Sequence, residues 1–200
     1  RLAMPPLNHL SKTVIAVALA QMSLTSSAAD IHVGNDCSLN DAIRSANDSV
    51  SYDGCTAGVC EDNNIILPEN STITLTHKDN EGYFYGDSGL PLIDSDITIQ
   101  GNGSTIARST VDGTPRFRIM ATAEFAYVTL TLNSLTLENG FAIYGPHNGG
   151  YGGAVYVSDG SSIVINDSQI RNNFSSGDGG AIYAYFSDGV EIKDSTIAGN

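Results

Sequence analysis

Basic residues are scarce in this chain: nine Lys and Arg stand against 22 Asp and Glu, for a formal charge of −13. Nucleic acid and anionic membranes are poor partners for such a surface, because both attract positive charge. The same acidity keeps a strand-rich, Gly-rich surface soluble. Cysteine is sparse, and no His lies at ligand spacing from Cys37, Cys55 or Cys60, which argues against a zinc centre. The apolar run Val14-Ile15-Ala16-Val17-Ala18-Leu19-Ala20 is too short to span a bilayer. Helical periodicity is confined, after that run, to residues 37–48.

What the chain does contain is a phrase said twice. Gly152-Gly153-Ala154-Val155-Tyr156 returns as Gly179-Gly180-Ala181-Ile182-Tyr183, 27 residues later, and Ile163-Val164-Ile165-Asn166-Asp167-Ser168 returns as Val190-Glu191-Ile192-Lys193-Asp194-Ser195. Each unit closes on Asn, at Asn173 and Asn200. Earlier rungs follow at 33-residue offsets, Ile99 to Leu132 to Ile165. Apolar residues alternate within each unit, the two-residue period of a strand with one buried face. Gly, Asn, Asp and Ser crowd the intervals, where tight turns need positive φ or side chains that bond their own backbone. A unit this short cannot bury its apolar face alone, so it must stack on its neighbours; stacked coils of short strands form a parallel β-helix, all-β in class. Asn133-Ser134, Asn166-Asp167-Ser168 and Asp194-Ser195 then read as bends, with side chains serving turn backbone groups from rung to rung. The Gly-rich segment from Asn139 to Tyr151 reads as a loop leaving the coil. With a 27-residue period, a further Gly-Gly unit is expected to begin at about position 206.

Arg1 and Lys12 are the only charged residues before Asp30, and the apolar run is followed by Ser27-Ala28-Ala29. This is the pattern of a secretory signal peptide, residues 1–29, with cleavage after Ala29. Its removal takes the formal charge from −13 to −15. Residues 30–64 follow as an N-terminal cap and 65–200 as the β-helix. In the cap, Ser38 stands at a helix N-cap with Asp41 three residues on, and Leu39, Ala42, Ile43 and Ala46 form one stripe. A helix laid across the first coil covers apolar surface and blocks edge pairing. Export puts the cysteines in an oxidising compartment, so at least one pairing is expected. Spacing alone does not fix which.

Cys37-Ser38-Leu39-Asn40-Asp41-Ala42-Ile43-Arg44-Ser45-Ala46-Asn47 resembles the CSLREA-type N-terminal motif of secreted bacterial proteins, with Asn40-Asp41 in place of Arg-Glu. That resemblance implies a right-handed parallel β-helix after the helix, with Asn64-Ile65-Ile66-Leu67-Pro68 and Thr72-Ile73-Thr74-Leu75-Thr76 as its first strands. The Gly-Gly-Ala-Ile units are similar to polymorphic outer-membrane protein repeats, although Ile170 and Ile197 stand where those repeats place Phe. Proteins with the first resemblance often keep a Cys in the Asp53-Gly54-Cys55 context. A Cys37–Cys55 pair is favoured on that ground and because it would tie the helix to the loop before the first strands; Cys55 with Cys60 is the competing pair.

Parallel β-helices include polysaccharide lyases and hydrolases, whose sites need paired carboxylates, or Ca²⁺ with a basic residue. Asp94 and Asp96, placed on one face of a strand in Leu92-Ile93-Asp94-Ser95-Asp96-Ile97, are the local candidates, with Asp178 and Asp188 in loops. The hydrolase motifs Asn-Thr-Asp, Asp-Asp and Gly-His-Gly and the lyase motif Arg-x-Pro-x-x-Arg are absent, and His32, His77 and His147 are scattered. No catalytic residue and no cofactor is assigned, Ca²⁺ being the one ion such a fold could hold. The resemblances imply a secreted, outer-membrane or cell-surface passenger region, adhesin-like, that binds an extracellular protein or glycan. The alternatives are a carbohydrate-active enzyme with catalytic rungs beyond Asn200, and a stalk.

Overall fold

The computed structural model describes residues 28–60, 62–81, 86–145 and 150–200. Most of the expected signal peptide, residues 1–27, lies outside the described residues. Strand β1 (Ala29–His32) is followed by helix α1 (Leu39–Asp48), then β2 (Asn63–Ile66), β3 (Thr72–Leu75), β4 (Ile97–Arg108), β5 (Met120–Ala121), β6 (Thr129–Glu138) and β7 (Phe141–Ala142). The chain continues through β8 (Val155–Val157), β9 (Ser162–Asn166), β10 (Gln169–Arg171), β11 (Phe174–Ser175), β12 (Ile182–Ala184), β13 (Gly189–Lys193) and β14 (Thr196–Ala198). Every pairing between these strands is parallel, and they form one large sheet and two small ones, β5-β8-β12 and β7-β11. The architecture is a parallel β-helix with a single short helix among the described residues.

Register explains the repeat. Ile31, Ile65, Ile99, Leu132, Ile165 and Ile192 pair successively down the large sheet. A second column runs Ile73, Ile106, Leu137, Ile170 and Ile197. Ile31, Ile65, Ile99, Leu132 and Ile165 are at most 1% exposed. Removing each such side chain from water stabilises the fold by about 1.5–3 kcal/mol before chain entropy is counted. One aliphatic side chain per rung therefore sits on another of the same kind, and the sequence offset is the length of one coil.

Corners between the two columns are made by residues with positive φ: Asn102 (52°), Ser134 (49°), Asp167 (47°) and Asp194 (48°). The preference of Asn and Asp for that region suits them to this bend. Hydroxyls serve the backbone across rungs here: Ser104, Ser168 and Ser195 accept from the backbone N–H of Ser71, Leu135 and Ser168 at 2.8, 3.1 and 3.0 Å. Asn166 donates to Asn133 at 2.9 Å, which donates to Gln100 at 3.2 Å. At the next corner Gly153 is packed so closely that a Cβ would meet the carbonyl oxygen of Gly180, while Gly152 and Gly179 take φ of 63° and 68°. The Gly-Gly pair is thus required twice over, by turn and by contact.

In α1, Ser38 accepts from the Asp41 N–H at 3.1 Å and donates to its carboxylate at 2.5 Å. Leu39, Ala42, Ile43 and Ala46 are buried, and Ser45 with them. The apolar stripe joins the core beside Ile31 and Ile65. Two details differ from the sequence reading. A strand precedes the helix: β1, which includes Ala29, the last residue of the expected leader, pairs with β2 across the expected boundary at residue 64 and so adds a rung inside what reads as the cap. The segment from Asn139 to Tyr151 does not leave the coil as a whole, because Phe141–Ala142 pairs with Phe174–Ser175 as β7 and β11. A lone pairing of two residues gives too short an alternation to register in the sequence.

Candidate functional site

The small sheet β5-β8-β12 carries a tyrosine face. Val155 and Val157 point into the core and are fully buried, so alternation turns Tyr156 outward, and register places Ala121, Tyr156 and Tyr183 in one column. Tyr183 lies tilted against Tyr156, with ring centroids 5.6 Å apart. Tyr151 stacks on Tyr183 at 4.7 Å and 26°, and Tyr185, two residues further along, lies at 6.5 Å and 18° to Tyr183. Tyr144 meets Tyr151 edge-on at 5.5 Å, with its hydroxyl donating to the Tyr151 hydroxyl at 2.9 Å. Rings contributed by two coils and by the 139–151 segment thus share one surface.

An open groove of about 710 Å³ runs over this surface, lined by Glu124, Phe125, Tyr144, Tyr151, Tyr156, Ser158, Asp159, Tyr183, Tyr185 and Phe186. Its rim is strained. Phe125 and Phe186 hold φ of 55° and 45° and are 58% and 73% exposed. A bulky residue in that region costs about 1–3 kcal/mol, and with more than half of each side chain exposed burial offsets little of it. Among the described residues, the lining holds two carboxylates and no Lys, Arg or His. Burial first, then neighbouring Tyr151 and Asp178, pushes the Tyr183 hydroxyl above its ordinary pKa; the hydrogen bond to Tyr151 does the same for Tyr144. Both phenols are therefore neutral at physiological pH.

Behind the tyrosines Arg118 is fully buried. Its guanidinium donates to the carbonyls of Gly86 at 3.1 Å, Tyr151 at 2.9 Å and Gly152 at 3.3 Å, and lies 5.3 Å from the Tyr156 ring centroid. Burial lowers its pKa to about 10, which leaves it charged at neutral pH. Arg118 thus fixes the turn that presents Tyr151 and supports Tyr156 from within.

A second recess, about 450 Å³, is lined by Lys78, Glu81, Asp87, Arg116, Phe117 and Phe141 among others. Its Lys78 is paired with Glu81 at 2.6 Å and Asp87 at 3.4 Å, and Arg116 lies over the Phe141 ring at 5.3 Å. These charges already serve one another.

The carboxylates picked out in the sequence are placed otherwise than expected. Asp94 and Asp96 precede β4 instead of lying in a strand, because Ile93 makes only an isolated bridge with Thr122 before the chain bends. Asp96 accepts from the Thr129 N–H of the next coil at 2.6 Å, and the Asp94 N–H donates to Asn47 at 3.2 Å. Asp96 lines a small recess of about 250 Å³ with Asp62, without Asp94. Asp178 and Asp188 lie on separate turns, where the Asp178 carbonyl accepts from Gly152 and the Asp188 N–H donates to Ser161. Among the described residues, no three His, Cys, Asp or Glu side chains are grouped to hold a metal ion.

Cys37 and Cys55 are bonded, with Cα atoms 4.7 Å apart, and Cys60 is free and exposed. The bond joins the residue before the Ser38 cap to the loop ahead of β2. The tyrosine groove was not singled out in the sequence. One signal was present, since Tyr156 and Tyr183 occupy the same place in the repeated phrase; Tyr144, Tyr151 and Tyr185 lie in irregular surroundings and carry no such mark.

Residues 167–185 match the family model described as the Chlamydia polymorphic membrane protein (Chlamydia_PMP) repeat. That stretch spans β10, β11 and the Gly179-Gly180-Ala181-Ile182-Tyr183 turn into β12. The match supports repeats of the polymorphic membrane protein kind, which suggest a cell-surface or outer-membrane-associated protein. Comparison with curated proteins and with solved structures gives no significant match. Among the described residues no helix is long and apolar enough to cross a membrane.

Proposed function

We propose that this chain is an exported, adhesin-like binding region, carried on a cell surface by its β-helix, whose tyrosine groove captures an extracellular target. The observation that carries the reading is the rim itself: two aromatic residues, Phe125 and Phe186, in strained left-handed backbone and more than half exposed, beside a continuous face of tyrosine rings. Aromatic rings of this kind supply large contact area at low entropic cost, and exposed apolar patches rimmed by polar groups mark interaction sites. The family match supports surface location, and the pattern of residues 1–29 supports export. Beads coated with the chain should adhere to cultured cells or to extracellular matrix, and the double variant Tyr183→Leu, Tyr185→Leu should lose most of that adhesion. Equal adhesion by the variant, or none by the parent, would remove the groove from this role.

A further inference from the structure

We infer that the tyrosine groove receives an extended peptide segment carrying Lys or Arg at alternate positions. The inference rests on the binding role proposed above and names the chemistry of its target. Charge is the first argument. The described lining has seven aromatic side chains, the carboxylates of Glu124 and Asp159, one Ser, and no basic group. Asp178 also stands near Tyr183, so three carboxylates outnumber the one buried cation, Arg118, behind the rings, and the field outside them is net negative. A cation is attracted both by this field and by the faces of the rings. An anionic glycan or peptide would be repelled by the same field, and by a chain of formal charge −13.

Spacing is the second argument. The Tyr183 and Tyr185 centroids are 6.5 Å apart with planes inclined by only 18°. In an extended chain, side chains on one face recur every two residues, about 6.6 Å. Two basic side chains at i and i+2 therefore match the spacing of the two rings. The fold already makes such a contact on the inner side of the column, where the Arg118 guanidinium lies 5.3 Å from the Tyr156 centroid. One side of Tyr156 is thereby taken and one face of Tyr183 is covered by Tyr151, which leaves the uncovered side of Tyr183 and the more exposed Tyr185, Phe125 and Phe186 for the ligand.

The test uses the whole chain and tyrosine emission, which no Trp obscures because the sequence contains none. Three probes are titrated: the pentapeptide Lys-Thr-Lys-Thr-Lys, its Glu-Thr-Glu-Thr-Glu counterpart, and a neutral glucose hexasaccharide. The Lys peptide should change the emission saturably, with affinity falling several-fold as salt is raised through the range where the screening length halves. Glu124→Gln with Asp159→Asn, a pair that keeps shape, should weaken binding by about threefold or more, and Tyr183→Leu by about threefold. Tyr52→Phe, on the far loop after α1, should change nothing. Binding of the hexasaccharide in preference to the Lys peptide overturns this inference while leaving the groove as a binding site. Equal binding of the Lys and Glu peptides overturns it too. No response to any probe, in a protein whose coated beads adhere and lose adhesion with the Tyr183, Tyr185 variant, likewise overturns the cationic ligand but not the binding role.

Discussion

Asn173 and Asn200 are stacked one coil apart: the Asn200 side-chain oxygen accepts from both the backbone N–H and the amide of Asn173, at 3.0 and 2.9 Å. Asn173 repeats the arrangement one rung earlier, where its oxygen accepts from the buried Gly140 N–H at 2.8 Å and its amide donates to the carbonyls of Leu137 and Arg171 at 3.2 and 3.0 Å. The closing Asn of each repeat therefore holds one coil's backbone to the next. Asn173→Ala strands the Gly140 donor and should cost about 1–3 kcal/mol. Asn173→Asp should be worse at neutral pH, because a carboxylate would face two carbonyl oxygens and the Asn200 oxygen, and should recover on acidification. Urea midpoints at two pH values check this; an Asp variant as stable as the parent at neutral pH would refute the ladder.

The disulfide closes a loop of 18 residues around α1 and the following turn. Constraint of the unfolded chain by a loop of that size contributes about 3 kcal/mol. Replacing Cys37 and Cys55 together by Ser should lower stability by roughly that amount, with fraying of β1 and α1 before the later coils. A digest without reduction should contain one linked peptide joining Cys37 to Cys55, and only Cys60 should take an alkylating reagent. A Cys55–Cys60 link would overturn the arrangement.

The stacked column gives a graded prediction. Ile99 is fully buried between Ile65 and Leu132, so Ile99→Ala should cost about 2–5 kcal/mol. Val111, by contrast, lies on a turn and is 73% exposed, and Val111→Ala should cost well under half as much. Equal losses would mean that burial in the column does not set the energetics.

Much of this fold is legible in the sequence because register and period are the same quantity in a β-helix. Ile99, Leu132 and Ile165 announce the coil length directly, and Ser38 with Asp41 announces the helix. β1 was hidden because Ile31 is its sole fully buried side chain and the strand adjoins the apolar leader pattern. Asp94 and Asp96 were misplaced because an alternation between Ile93 and Ile97 does not reveal a bend between them. The tyrosine face depends on rings brought together across coils, and its rim on positive φ at Phe125 and Phe186, which no local propensity of an aromatic residue announces.

The final prediction concerns Asp94. Burial of its inner side, then the negative charge of Asp48, holds its carboxyl above the usual carboxylate pKa. A raised acid pKa in the fold means that the native state keeps the proton longer than the unfolded chain, so this group lowers stability as pH rises through the unfolded value and then the folded one. At neutral pH the penalty is fully present; below about pH 3.9 both states are protonated and it vanishes. Because the residue is largely exposed, the penalty is small. Asp94→Asn should therefore raise the melting temperature slightly at pH 7, and the gain should close as pH falls below the ordinary carboxylate value. A catalytic role predicts something else. Incubated with polygalacturonate or alginate, the chain should release no unsaturated products; reproducible release, lost in Asp94→Asn or Asp96→Asn, would assign these carboxylates to chemistry rather than to the bend between coils.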